Sequence, residues 1–303
     1  MKSLKKLHGT PLWGLLVLAF AATLNGFIPG LVTAGIRPAS APQAEFMRFA
    51  LGCLVCGCVH YFYRRLQPKN YHGLFFRGLL AGVSVSCYYL AMDHLHAGLA
   101  TLFSLYTFPA AALYAKFVMK DKLRTTTVWL IFASMFGVLA VVAGTLGNGR
   151  TSLGWEGLAL LGAAVSGVSI GNMAELSRSK EGYWEIFTAY CLGGLIASSL
   201  LSVGGVWSWV NPGSGDKWAY LLIAAAIPVA TQNLVIYGYK FLEGETGSTA
   251  GIYQLTSIVA LVVGRVAFNQ TMTDFALLGA VTIVCGVVID TALSWLKRMA
   301  NKN

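Results

Sequence analysis

The chain has 303 residues, of which 56% are hydrophobic and only 11% are charged. A soluble domain carries about 25% charged residues, so this chain has too few of them to cover a water-facing surface. The net charge of +10 would suit a nucleic-acid partner, but the cations lie at the ends of apolar runs rather than on one stripe, which excludes that class. We therefore predict an all-α polytopic protein that is surrounded by the lipid bilayer and binds no nucleic acid.

Ten apolar runs of membrane-crossing length follow one another, with short connections and no inserted soluble domain. They lie near residues 12–35, 44–63, 73–92, 97–117, 126–146, 154–176, 186–206, 218–239, 247–267 and 275–296. The first run follows the positive stretch "MKSLKKLHGT", as a signal-peptide core would, but its uncharged length of about 25 residues is too great for such a core. The sequence therefore predicts an uncleaved first span and ten transmembrane helices.

Lysine and arginine residues set the orientation of these spans. With the N-terminus in the cytoplasm, 17 of the 22 fall on the inner side, among them Arg77 and the cluster that follows the fourth span. The other five lie on or near the outer side: Arg37, Arg48, Arg150, Lys217 and Arg265. The positive-inside rule then predicts that both termini face the cytoplasm, in a bacterial inner membrane.

The fourth span and the residues after it recur in the second half of the chain. The stretch "AGLATLFSLYTFPAAALYAKFVMKDKL" has a counterpart in "GSTAGIYQLTSIVALVVGRVAFNQTMT", and each copy precedes another span, with Gly137 matched by Gly286. Five spans separate the copies, an odd number, so the two halves must have opposite orientations in the membrane. The sequence predicts two inverted five-helix repeats, residues 1–149 and 150–303, and alternating access to a site between them.

Polar side chains at bilayer depth are costly, so each one needs a partner or a water-lined cavity. The substrate-binding candidates are Asn25, Ser84, Tyr88, Tyr106, Asn172, Gln232, Asn233, Tyr253 and Gln254. Amides and tyrosines offer donors, acceptors and ring faces without a fixed charge, which suits a zwitterionic or flat polar solute. Hydrogen bonding between helices, without contact to a substrate, is the alternative.

Four ionisable residues are candidates for coupling or gating. Glu175 lies three residues before Arg178 near the inner end of the sixth span, which favours an interfacial ion pair over a proton-coupling carboxylate. Glu45 and Arg48 have the same spacing near the outer end of the second span. Together with Arg265 they form either a structural charge network or an outer gate, and the sequence does not separate the two.

The cysteines and histidines lack the spacing of a metal site. Cys53 and Cys56 have C-x-x-C spacing, but no second ligand pair accompanies them, and the two histidines in "DHLH" have no further ligand cluster. The sequence contains no Walker A loop, G-x-S-x-G or H-E-x-x-H motif. We therefore expect no cofactor, no metal and no catalytic residues.

Four motifs, taken in order, resemble the drug/metabolite transporter superfamily and in particular its ten-helix EamA-type exporters. They are "WGLLVLAFAATLNGFIPG" with Asn25-Gly26, "AEFMRFALG" with Arg48, "YYLAMDHLHAGLATLFSLYTFP" with Pro109, and "KDKL" with Asp121 at the acidic hairpin position. Pro109, at mid-span, is expected to kink the fourth helix. The second half departs from the pattern, since Val259 replaces the second proline and Asn269-Gln270 the second hairpin acid.

The resemblance implies a substrate cavity between two four-helix bundles, with the fifth and tenth helices peripheral and forming a homodimer contact. It implies a secondary transporter of a small polar metabolite, such as an amino acid or a nucleoside, working in the direction of export. Alternatives are a proton-coupled importer, a membrane-embedded enzyme acting on lipid head groups, and a scaffold or channel without a transport cycle. An enzyme would need clustered acids or histidines at an interface, and Asp93, His94 and His96 are sparse.

Overall fold

The computed structural model describes residues 11–32, 36–63, 65–95, 100, 103–121, 123, 125, 127–129, 131–132, 135–137, 153–241, 252, 255–268 and 281. This part of the chain contains eight α-helices of eleven or more residues and no strand. The helices are α1 (Pro11–Asn25), α2 (Ala41–Phe62), α3 (Tyr71–His94), α4 (Thr107–Phe117), α5 (Leu153–Arg178), α6 (Tyr183–Val203), α7 (Gly215–Tyr239) and α8 (Leu255–Phe268). A one-turn helix at Ile28–Gly30 follows α1, and a 3-10 turn at Ser104–Tyr106 precedes α4.

Six segments of the described chain are long and apolar enough to cross a membrane: Trp13–Gly30, α2, α3, Gly154–Arg178, α6 and α7. Large apolar side chains such as Leu54, Phe75 and Ile196 lie more than half exposed on their outward faces. Apolar surface on this scale marks contact with a membrane. The chain is a multi-pass membrane protein. Most of the predicted fifth span and almost all of the tenth lie outside the described residues, so the total of ten spans stays a prediction.

Side-chain caps fix the first residues of α2 and α3. The Ser40 hydroxyl accepts a hydrogen bond from the Gln43 backbone N–H at 3.3 Å, and the Asn70 side chain accepts one from the Gly73 N–H at 2.8 Å. Such caps satisfy donors that the first helical turn leaves unpaired. As a result, Arg48 and Arg77 each lie about two turns inside a helix, one entering from each end of the bundle.

The first span is interrupted, where the sequence predicted one continuous helix over 12–35. α1 ends at Asn25, a turn follows at Gly26 and Phe27, and the chain resumes as the one-turn helix Ile28–Gly30. Gly26 allows this turn to pack tightly on α8, because a Cβ there would lie 2.4 Å from the Val259 Cβ. Interruptions of this kind occur at membrane depth where backbone is buried in protein or lines a cavity.

Pro109 lies in the first turn of a helix rather than at its middle. The sequence placed it at the middle of a span over 97–117, whereas it is the third residue of α4, directly after the 3-10 turn at Ser104–Tyr106. A proline in the first turn costs little, because the N–H it lacks has no partner within the helix there. The change of helix type occurs just before the proline, and a kink at Pro109 stays a prediction.

Helices from the two halves of the chain pack against one another. In the described residues α1 contacts α7, α3 contacts α5 and α6, and α2 contacts α6 and α7. Within these pairs α3 and α6 run parallel, as the contacts of Gly78 with Gly193 and of Gly82 with Ala197 show. By contrast, α1 and α7 run antiparallel, since Leu18 contacts Gly238 near one end while Asn25 bonds Thr231 towards the other.

Candidate functional site

A cavity of about 150 Å³ lies where helices from both halves meet. All eight described helices and the 3-10 turn contribute polar residues to its lining. These are Asn25, Arg48, Arg77, Ser84, Tyr88, Ser104, Thr107, Ser166, Ser169, Tyr190, Gln232, Thr256 and Ser257. Polar groups at this depth mark a substrate path or a structural network rather than a packed apolar core.

Four of the predicted substrate-binding residues line this cavity: Asn25, Ser84, Tyr88 and Gln232. The Asn25 side-chain oxygen accepts a hydrogen bond from the Thr231 hydroxyl at 2.7 Å, which fixes the amide at the end of α1. Asn25 is the last residue of α1, and the turn at Gly26 follows it directly. The structure thus brings these four side chains together, and their contact with a substrate stays a prediction.

The remaining candidates are placed elsewhere or are not described. Tyr106 is half-buried beside an apolar cluster, and Asn172 is buried within α5, but neither is among the residues that line the cavity. Tyr253 and Gln254 lie outside the described residues.

Asn233 faces away from the cavity and makes two hydrogen bonds within the protein. Its side-chain oxygen accepts from the Tyr183 hydroxyl at 2.5 Å, and its amide nitrogen donates to the Val229 carbonyl at 2.7 Å. Gln232, the residue before it, lines the cavity. Of the two neighbouring amides, one therefore joins α7 to α6 and the other is available to a solute.

Glu175 has a different partner from the one that the sequence suggested. Its carboxylate accepts a hydrogen bond from the Tyr114 hydroxyl at 2.6 Å, on the exposed side of α5. Arg178 pairs instead with Asp121, donating to both carboxylate oxygens at 2.8 and 2.7 Å. The expected Glu175–Arg178 ion pair is wrong, because the carboxylate that pairs with Arg178 belongs to Asp121, in the hairpin after α4. Glu175 lies outside the cavity lining.

The outer charge network is also arranged differently. The Glu45 carboxylate is fully buried and accepts from the Ser86 hydroxyl at 2.6 Å, whereas Arg48 donates to the Tyr190 hydroxyl. The two side chains therefore turn towards different helices, α3 and α6. Arg265 lies in α8, but its side chain is not described. Of these three candidates, only Arg48 is among the described residues that line the cavity.

Arg77 is the functional candidate that the sequence reasoning missed. It was expected to anchor the third span at the inner surface, but only 2% of the residue is exposed and it lines the cavity. Its guanidinium donates to the Ser169 carbonyl at 2.8 Å and also to the Ser169 hydroxyl. The usable signal was its position one turn inside the third span, in the run "LFFRGLL" that is otherwise free of charge.

The Tyr190 side chain joins the two arginines. The guanidinium carbon of Arg48 lies 5.5 Å from the centroid of the Tyr190 ring, and that of Arg77 lies 5.0 Å from it. A guanidinium over an aromatic face is attracted by the ring quadrupole, and the attraction grows when water is excluded. Tyr190 thereby holds two like charges at the same wall of the cavity.

The first half of the chain, residues 12–143, matches the model of the EamA-like transporter family. This confirms the resemblance to the drug/metabolite transporters. EamA-like proteins are transporters, so the comparison supports membrane transport and names neither substrate nor direction.

The fold of this chain also matches that of a solved structure, described only as "Crystal structure of protein". The alignment has a TM-score of 0.70, with 15% sequence identity, and covers 92% of this chain and 98% of the other. At that identity the likeness concerns the fold alone. No curated protein matches the sequence.

Proposed function

We propose that this protein is a secondary transporter that moves a small polar metabolite across a bacterial inner membrane by alternating access. The observation that carries the proposal is the polar cavity, which helices from residues 1–149 and from residues 150–303 enclose together. Both termini lie in the cytoplasm, as the distribution of lysine and arginine indicates. Transport in the direction of export follows the resemblance to EamA-type exporters. A homodimer through the fifth and tenth spans belongs to the same proposal.

The packing of the helices supports an inverted repeat. If the first span corresponds to the sixth and the third to the eighth, the pair α1–α7 corresponds to the pair α5–α3, and both pairs are in contact. The pairs α2–α7 and α6–α3 are related in the same way, and both of these also pack together. A pseudo-two-fold axis in the membrane plane relates inverted repeats in this manner.

Two glycines make equivalent contacts under this relation. A Cβ on Gly26 would meet the Thr256 carbonyl and the Val259 Cβ, and a Cβ on Gly167 would meet the Thr107 carbonyl and the Ala110 Cβ. In both cases the glycine packs on a carbonyl and on the side chain three residues further on. The two contacted segments are about 150 residues apart, as expected for repeats of equal length.

The transport proposal is tested with purified protein in liposomes. We expect labelled small polar solutes to exchange across the bilayer by counterflow, while liposomes without protein show no exchange. Failure to move any solute in a panel of amino acids, nucleosides and organic acids would overturn the proposal. Large unitary currents in single-channel recordings would replace it with a channel.

Coupling to protons is the second candidate, and Glu45 favours it. One oxygen of this buried carboxyl accepts from Ser86, and the other has no hydrogen-bond partner. A buried carboxylate with so few bonds is costly as an anion, which suits a group that gains and loses a proton during a cycle. An imposed pH gradient in the same liposomes distinguishes coupled transport from facilitated exchange.

The neighbouring residues Gln232 and Asn233 provide a matched test of the cavity. Gln232→Ala is expected to reduce or retune transport with little change in melting temperature, because the side chain faces the cavity. Asn233→Ala is expected to lower the melting temperature while each folded molecule still transports, because it leaves the Tyr183 hydroxyl without its acceptor. Transport assays normalised to folded protein, together with thermal unfolding in detergent, measure both. The reverse pattern would remove the cavity from the transport path.

A further inference from the structure

The charges in the cavity point to the chemistry of its solute, on the basis of the transport function proposed above. Among the described residues that line it, two are arginines, Arg48 and Arg77, and none is an acid. The cavity in this part of the chain therefore carries a net positive charge. This differs from the expectation, from amides and tyrosines alone, of a site without fixed charge.

Each arginine makes at least one hydrogen bond to a neutral group. The Arg77 guanidinium is buried, bonded to Ser169 and stacked on Tyr190. Arg48 donates to the Tyr190 hydroxyl, while its buried Nε has no hydrogen-bond partner. Glu45, one turn before Arg48, bonds Ser86 and is not among the lining residues. Among the described residues the Arg48 guanidinium therefore keeps a donor for an incoming acceptor, since an arginine has five.

We propose that the cavity selects a solute with a carboxylate, which binds between Arg48 and Arg77 at the wall formed by Tyr190. Guanidinium groups match carboxylate oxygens with two parallel hydrogen bonds, and these bonds are stronger than those between neutral groups. Both guanidinium carbons lie within 5.5 Å of the centroid of the Tyr190 ring, so an anion near that ring is attracted by both charges. We expect a cation to bind more weakly than an anion, since the described lining residues include two arginines and no acid.

The rest of the cavity limits the size and character of the solute. A volume of about 150 Å³ holds about five water molecules at ~30 Å³ each, so the solute is small in the conformation described. The lining also carries the hydroxyls of Ser84, Thr107 and Thr256 and the amides of Asn25 and Gln232, which are suited to bind a second polar group of the solute. We therefore rank small carboxylic acids first, zwitterionic amino acids second, and amines last.

Matched solutes test the inference on the purified full-length protein. The probes are lactate, succinate and benzoate, each with its own amide and the corresponding amine, and inorganic phosphate as a second anion. At least one carboxylate is expected to raise the melting temperature saturably, while its amide and amine do not, since a ligand stabilises the state that it binds. Stabilisation by phosphate alone, or by an amide or amine as strongly as by its acid, overturns the carboxylate assignment.

Arginine variants locate the binding site. Arg48→Gln and Arg77→Gln are each expected to weaken binding of the carboxylate at least tenfold, and Arg77→Lys is expected to weaken it less than Arg77→Gln because it keeps the charge. Arg65→Gln is the matched control, since Arg65 is exposed and outside the cavity lining. If Arg77→Gln fails to fold, Arg48→Gln alone decides: unchanged carboxylate affinity in that variant overturns the inference.

Transport in liposomes separates the anion site from the transport function. Counterflow of an amine or amide that is unaffected by Arg48→Gln would rule out the anion site and leave the transport function intact. Carboxylate binding without any counterflow removes transport and leaves the anion site intact.

Discussion

Oxidation of a Ser104→Cys, Ser257→Cys double variant is expected to stop transport, and a reductant is expected to restore it. The two hydroxyl oxygens lie 3.1 Å apart, and both side chains line the cavity. Ser104 belongs to the first half of the chain and Ser257 to the second. Sulfur atoms at these positions can approach the ~2.04 Å of a disulfide bond with little movement of the backbone. Since alternating access requires the halves to separate on one side of the site, such a bond holds the protein in one state.

The controls for this experiment are the two single variants, treated with the same oxidant. The oxidant is expected to leave the transport rate of each single variant at its value under reducing conditions, because a lone cysteine at either position lacks the second introduced thiol across the cavity. The chain has six native cysteines, so the unmodified protein is oxidised in parallel to measure their contribution. If the cross-linked double variant still transports at the full rate, these two helices do not separate during the cycle.

The positions of the long helices could be predicted from the sequence. Runs near 44–63, 73–92, 186–206 and 218–239 correspond to α2, α3, α6 and α7, with ends that agree within three residues. This works because each apolar run ends in polar residues, and a bilayer leaves a helix as the only way for a single segment to satisfy its backbone. The break after Asn25 could not be predicted in this way, because the apolar run continues through it.

The lining of the cavity was predicted only in part, and helix geometry explains one of the errors. Gln232 and Asn233 were both assigned to it, yet neighbouring residues on an α-helix point about 100° apart, so both rarely reach one small cavity. In the structure Gln232 lines the cavity, whereas Asn233 accepts a hydrogen bond from Tyr183 of α6. Consecutive candidates on one helix should have been treated as alternatives.

Arg77 shows a different limit. A cation one turn from the end of an apolar run fits an interfacial anchor as well as a buried group, because lysine and arginine can extend towards the membrane surface. The Arg77 guanidinium is held inside the protein by contacts with Tyr190 and Ser169, which are more than 90 residues away in the chain. No local pattern in the sequence brings these residues together, and the charge of the cavity therefore had to come from the structure.

A close contact between the backbones of α3 and α6 predicts a large effect on stability. A Cβ added at Gly193 in α6 would lie 2.1 Å from the Gly78 carbonyl oxygen in α3 and 2.4 Å from its Cα. These are backbone atoms, which cannot rotate away, so Gly193→Ala must push the two helices apart. Close approach at small residues is a main source of helix association in membranes, and overpacking costs about 1–3 kcal/mol.

We therefore expect Gly193→Ala to lower the melting temperature in detergent and the yield of monodisperse protein. Gly57→Ala in α2 is the matched control, because nothing lies within 4 Å of a Cβ at that position. Its melting temperature should stay the same or rise, since alanine favours a helix over glycine by roughly 0.5–1 kcal/mol. Equal stability of the two variants would mean that α3 and α6 do not meet at these glycines. In that case the contact between Arg77 of α3 and Tyr190 of α6 would lose its support.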